Sequence, residues 1–260
     1  MFINPATYLS IPSRIISLVP SITELLYDLG LQNEIVGITK FCIHPKVLFN
    51  AKEKIGGTKN INIKKVISLA PDLIIANKEE NIKEQIEQLA VHFPVYLSDV
   101  NDYKSAVQML IDVGILTNKK TAADDIYNRI EKAFETEKRV ATKQKKVAYL
   151  IWNDPYMTVG GDTFISNMIQ KAGLENIYKN EKRYPQITVE DLQKKQPDVI
   201  LLSTEPYPFK EKHIDELKKH FVKTTILLAD GEMFSWYGSR MLLMPTYFKT
   251  LMLEIDKSYL

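Results

Sequence analysis

The sequence predicts an α/β protein of two similar lobes, each a parallel sheet flanked by helices, joined by a single long rigid helix. Three observations predict it. A helix–turn–strand unit occurs twice at a fixed spacing, buried-type strands alternate with helices, and an unbroken helical stretch separates the halves. The predicted organisation is residues 1–116 as an N-terminal lobe, 117–144 as the linking helix and 145–260 as a C-terminal lobe.

The repeat sets Ile61–Ala76 against Ile187–Leu202 at an offset of 126 residues. Asn62 matches Thr188, and both are good helix N-caps. Pro71-Asp72 matches Pro197-Asp198 as a turn. Apolar runs without polar alternation follow, Leu73–Ala76 and Val199–Leu202, which suits strands buried on both faces. Upstream, the predicted strand Arg14–Leu18 leads to a helix from about Ser21 that stops at Gly30. The predicted strand Lys146–Ile151 leads to a helix from about Thr163 that stops at Gly173. Glycine just past a helix end takes the left-handed conformation that closes it. Ile35–Ile38 reads as a further strand of the first half.

Between the halves, Ala123, Ile126, Ile130 and Phe134 recur at helical spacing. Nothing from Lys119 to Thr142 breaks a helix, so the stretch predicts one rod of about 36 Å at 1.5 Å per residue. A flexible hinge would carry Gly, Ser or Pro instead.

With 260 residues the chain can bury a substantial core. A formal net charge of +2 creates no strong field for nucleic acid or a membrane surface. The single cysteine, Cys42, excludes an intrachain disulfide. No window approaches the roughly 20 apolar residues of a membrane span. Residues 1–10 show no basic start, apolar run or cleavage site, so the expected location is cytoplasmic as the sequence stands, and periplasmic if the N-terminus is cropped or mis-started.

In open α/β sheets, ligands bind beyond the carboxyl ends of the strands. In the second half these positions hold Trp152, Tyr156, Tyr207, Phe209, Trp236 and Tyr237, with Glu205, Asp230, Glu232 and Arg240 among them. Flat rings on post-strand segments suit a large, planar, partly apolar ligand, and the charged groups would orient it. The first half contributes Phe41, Cys42 and His44 after Ile35–Ile38, and Lys59 within Gly56–Asn60. Cys42 and His44 are too few for a dedicated metal site; the role they allow is one axial contact to a metal already held in a chelate. His92, His213 and His220 form no cluster. Gly160-Gly161-Asp162 precedes a helix, which allows either an anion cradle or a plain cap by Asp162. No nucleophile elbow, phosphate loop or GxGxxG occurs. Glu205, Asp230 and Glu232 remain as acid–base groups without a nucleophile, and no enzyme is expected.

Arg14-Ile-Ile-Ser-Leu-Val-Pro-Ser-Ile-Thr-Glu-Leu25 and the stretch from Ile55-Gly-Gly to Ala76 resemble the helical-backbone metal receptor family, the substrate-binding proteins of cobalamin, haem and siderophore ABC importers. The resemblance runs from about Arg14 to Leu253, and the cobalamin branch is the most similar. It implies that the chain binds a cobalt- or iron-containing chelate (a corrinoid, haem or a ferric siderophore) in a cleft between its lobes, with no tightly bound cofactor. It also implies an ABC transporter permease as partner. The alternatives are a non-exported relative, or a chelate carrier or sensor uncoupled from any transporter. In the family a glutamate on each lobe docks on the transporter. Glu190 matches in the second lobe, whereas the first lobe has Lys64, which would repel an arginine. Phe41 falls where the cobalamin binders cap the ligand, while Thr58 stands where they have a ring.

Overall fold

The computed structural model describes residues 1–137 and 144–257. The chain divides into two compact units. Unit 1 comprises Met1–Val100, Lys104–Lys132 and Trp236–Leu242; unit 2 comprises Asn101–Tyr103, Ala133–Ser235 and Leu243–Leu260. This partition departs from contiguous halves in one consequential way, because Trp236–Leu242 belongs to unit 1.

The first stretch of chain runs β1 (Ile15–Ser17), α1 (Pro20–Asp28), β2 (Ile35–Ile38), α2 (Lys46–Ala51), β3 (Glu53–Lys54), α3 (Ile63–Ser68), β4 (Leu73–Asn77), α4 (Lys83–His92), β5 (Val95–Ser98), α5 (Tyr103–Leu116) and α6 (Lys120–Thr136). Its sheet has the order β3-β2-β1-β4-β5, and every pair is parallel. The second stretch runs β6 (Lys145–Asn153), β7 (Tyr156–Thr158), α7 (Phe164–Lys171), β8 (Leu174–Asn176), α8 (Val189–Lys195), β9 (Val199–Ser203), α9 (Glu211–Lys218), β10 (Thr225–Ala229), α10 (Glu232–Ser235), a 3-10 turn (Ser239–Leu242) and α11 (Met244–Lys257). Its sheet has the order β10-β9-β6-β7, with β8 also beside β6, and only β6–β7 is antiparallel. The alternation of strand and helix is thus an α/β architecture of parallel sheets flanked by helices.

The repeated residues perform the same structural work in each unit. Asn62 and Thr188 accept from the N–H groups of Lys65 and Asp191, capping α3 and α8. The Asp72 carboxylate accepts from the Ser13 and Arg14 N–H groups at 2.8 Å, and that of Asp198 from the Lys146 N–H at 2.8 Å. Each Pro-Asp turn therefore moors the start of its unit's central strand. Ala70 and Gln196, the residues before each proline, both take a left-handed backbone with φ of 42° and 47°. Gly30 and Gly173 do the same at 76° and 85°, as expected of residues that close helices.

The strands that follow are buried. Ile74 and Ile200 sit at equivalent positions and are fully enclosed, the first among Ile16, Val66 and Leu89, the second among Ala148, Leu192 and Leu217. Fully burying such a side chain contributes about 1.5–3 kcal/mol.

The linker differs from the expected rod. Asn118, with φ of 55°, ends α5, so the helix starts only at Lys120. From Lys120 to Thr136 it spans roughly 25 Å. The expected continuation through residues 138–143 lies outside the described residues. Ala123, Ile126 and Ile130 are buried as their spacing predicts. A Cβ on Gly114 would fall 2.4 Å from that of Ala123, so α5 and α6 approach closely where neither has a bulky side chain.

Candidate ligand-binding edges

All strands of the unit 1 sheet are parallel, so the segments after β1, β2, β3 and β4 emerge on one edge. Buried Asn81 ties those after β1, β3 and β4: its Nδ2 donates to the Leu18 and Thr58 carbonyls (3.3 and 3.1 Å), and its Oδ1 accepts from the Asn77 N–H at 2.9 Å. On this edge Phe41 is 50% exposed. Its ring lies against Gly57, where a Cβ would be only 3.1 Å away, and Lys40 Nζ stands 5.1 Å from the ring centroid. Thr58 is buried. Lys59 is exposed and donates to the Glu79 carbonyl.

Cys42 is not presented to a ligand, contrary to the sequence expectation. It is fully buried, with Sγ 3.1 Å from the hydroxyls of Thr23 and Thr39. Burial raises its thiol pKa, which opposes thiolate formation and metal ligation. His44 is half-buried, its ring edge-on to Trp236 at 5.4 Å.

Trp236, Tyr237 and Arg240 belong to unit 1, and all three are buried rather than open for stacking. Arg240 forms a two-pronged ion pair with Glu24 of α1, Nε to Oε2 and Nη2 to Oε1, each 2.7 Å. Its guanidinium also lies 4.8 Å from the Trp236 ring centroid. Through this pair Arg240 clips a late segment of the chain onto the first helix. Nothing in the sequence pattern signals Glu24, since the pair spans 216 residues.

In unit 2, Trp152 and Tyr156 lie on the β6–β7 hairpin and not in an open loop. Trp152 is 40% exposed, with its indole N–H on the Asp154 carbonyl. Tyr207 backs it edge-on at 5.6 Å. Behind Tyr207 stand Phe209 and His213, with ring centroids 4.8 and 5.5 Å away. Phe209 is 3% exposed and is a core residue, not a ligand contact. His213, which the sequence left without a cluster, is enclosed by these rings.

Two of the carboxylates proposed to orient the ligand, Glu205 and Asp230, are engaged locally. Glu205 accepts from the Ser235 hydroxyl at 2.8 Å. Asp230 accepts from the Glu232 N–H at 3.1 Å, and its own N–H donates to the Tyr247 hydroxyl at 2.7 Å. Burial pushes the Tyr247 phenol up to about 12. A Cβ on Gly231 would sit 2.4 Å from Glu205 Cγ, so glycine lets these segments close together.

The Gly160-Gly161 stretch is no anion cradle. The two N–H groups donate to the Arg183 and Glu181 carbonyls, and Thr163, not Asp162, caps α7. Asp162 accepts instead from the Arg183 N–H. Glu190 is exposed in the first turn of α8, and its own backbone N–H and the Thr188 hydroxyl hold its carboxyl below the usual range. Lys64 is exposed on α3, beside a Lys65–Glu53 ion pair of 2.6 Å. Among the described residues no group of three or more His, Cys, Asp or Glu side chains is placed to hold a metal ion, and no helix is long and apolar enough to cross a membrane.

The model of the periplasmic binding protein family matches residues 15–227. A vitamin B12-binding protein of Pectobacterium carotovorum subsp. carotovorum (strain PC1) is 25% identical, covering 90% of this chain and 86% of that one. An ABC transporter substrate-binding lipoprotein of Bacillus subtilis (strain 168), described as uncharacterized, is 32% identical over 73% of this chain and 63% of its own length. The solved apo form of a periplasmic heme-binding protein from Roseiflexus sp. RS-1 superimposes with a TM-score of 0.80 at 21% identity, covering 94% of this chain and 97% of that one. At that identity the likeness is one of fold.

Proposed function

Because this chain belongs to the periplasmic binding protein family, we propose that it binds a metal chelate of the corrinoid type and hands it to an ABC importer. One observation carries this reading: each unit mounts one open, flat ring, Phe41 in one and Trp152 in the other, on an edge where its parallel strands end. Flat apolar groups of this kind suit a macrocycle. The vitamin B12-binding relatives support a corrinoid over haem, since the haem-binding neighbour is similar in fold alone. The transport role is supported by the substrate-binding lipoprotein relative.

On this reading the chain does no chemistry. Glu205 and Asp230, two of the carboxylates weighed for acid–base work, serve neighbouring hydroxyl and N–H groups instead. The metal stays within its chelate as cargo, and half-buried His44 is the side chain suited to touch it axially.

Titration of the purified protein with cyanocobalamin, cobinamide, haem and a ferric siderophore tests the proposal, read by calorimetry and tryptophan fluorescence. Saturable micromolar or tighter binding of a corrinoid is expected. Absence of heat and quenching with both corrinoids would refute it. Fractionation of native cells tests the hand-off to an importer: recovery outside the cytoplasm is expected, and recovery from the cytoplasm would favour the uncoupled carrier or sensor.

A further inference from the structure

His213 is 3% exposed and lies behind the ring that backs Trp152. The Lys210 backbone N–H donates to its Nδ1 at 2.8 Å. The Lys210 carbonyl oxygen also lies 3.1 Å from this nitrogen, but the shorter contact has a fixed polarity, because a backbone N–H can only donate. Nδ1 is therefore the acceptor, and the neutral ring carries its proton on Nε2. Nε2 stands 3.2 Å from the Tyr207 hydroxyl, to which it donates. A phenol that accepts from behind keeps its own O–H to donate elsewhere.

We infer that His213 is a positioning residue of the binding edge: it fixes Tyr207 as a hydrogen-bond donor to an acceptor oxygen on the rim of the chelate, beside the open face of Trp152. The inference rests on the proposed chelate-binding function and adds a specificity element to it. The ligand chemistry required is a planar macrocycle whose periphery carries carbonyl oxygens, amide or carboxylate. Phe209 packs edge-on to both Tyr207 and His213, at 4.8 and 5.3 Å, which keeps the pair in register. His213 itself need not touch the ligand.

Two substitutions separate this role from capping of α9. His213→Asn retains an acceptor near the position of Nδ1 for the Lys210 N–H but cannot reach Tyr207. His213→Gln extends an amide N–H toward the position of Nε2. Wild type, both variants, Tyr207→Phe and the double variant Tyr207→Phe/His213→Asn are titrated by calorimetry with cyanocobalamin, whose rim carries amides, and haem, whose rim carries carboxylates. Thermal midpoints are recorded in parallel.

For the probe that wild type binds, Tyr207→Phe and His213→Asn should each weaken binding about tenfold, as expected for one lost hydrogen bond. His213→Gln should stay within about threefold, and the double variant should bind no worse than Tyr207→Phe alone. Preference for cyanocobalamin assigns the rim acceptor as an amide; preference for haem assigns it as a carboxylate. Wild-type affinity in His213→Asn, or equal losses in Asn and Gln variants, overturns the inference while leaving the functional proposal intact. A wild type that binds neither probe overturns the inference, and if cobinamide is not bound either, the functional proposal falls with it.

Discussion

Phe41 and Trp152 stand on equivalent edges of their sheets, yet the two units mount them differently. Phe41 rests on backbone, because Gly57 leaves no Cβ to separate ring from main chain. Trp152 rests on side chains, the Tyr207–Phe209–His213 stack. A backbone support is set by the fold itself, whereas a stack of rings is set by packing and hydrogen bonding that substitutions can alter singly. Unit 1 thus offers a fixed platform, and unit 2 a tunable one.

The comparison can be broken first at the cores, where the units should behave alike. Ile74→Ala and Ile200→Ala each remove a fully buried side chain from equivalent strands, so each should cost about 2–5 kcal/mol in denaturant unfolding. A cost confined to one of them would mean that the shared repeat does not bear equal weight. Next, Glu24→Gln removes the charge that takes both prongs of the Arg240 guanidinium. A loss of about 1–3 kcal/mol is expected, since two charge-assisted hydrogen bonds to an enclosed guanidinium are weakened. Stability unchanged within error would show that the clip is dispensable to unit 1.

Trp152→Ala should weaken chelate binding about 30-fold and Phe41→Ala about tenfold, following the larger ring. Isothermal titration decides, and equal or reversed losses would contradict the assigned roles. A smaller effect lies at alkaline pH. Burial raises the phenol pKa values of Tyr96 in unit 1 and of Tyr149, Tyr178 and Tyr247 in unit 2. A raised pKa favours the protonated form in the folded state, so this contribution is complete below about pH 10 and is lost as pH climbs toward 12 and beyond. Part of the tyrosinate absorbance should therefore appear only together with unfolding; ionisation of all tyrosines before unfolding would refute their enclosure. Smallest of all, Lys64→Glu should raise affinity for a cognate transporter a few-fold by matching the charge of Glu190, measured on reconstituted transporter. Unchanged affinity would show that the position lies outside the contact.

The fold was legible where the physics is local. Caps, Pro-Asp turns, helix-closing glycines and apolar strand runs are written in consecutive residues, and Asn62, Asp72, Gly30 and their counterparts do what their types dictate. The candidate site was legible only as a set of residue types. Position after a strand identified Phe41 and Trp152, but the same rule also admitted Phe209 and Trp236, which are buried. What separates the open rings from the buried ones is their neighbours in space: Gly57, Tyr207, and the Glu24–Arg240 pair that spans most of the chain. Cys42 misled for the same reason, because two threonine hydroxyls from different segments enclose it.

That long-range pair also has a meaning in time. Unit 1 has nearly all its residues once Lys132 is made, but its last segment, Trp236–Leu242, arrives some hundred residues later. At about 5–20 residues per second of synthesis, the interval is roughly 5–20 s. Throughout it the nascent first unit carries Glu24 without its arginine and His44 without its tryptophan, and a chain truncated before Trp236 would remain in that state indefinitely.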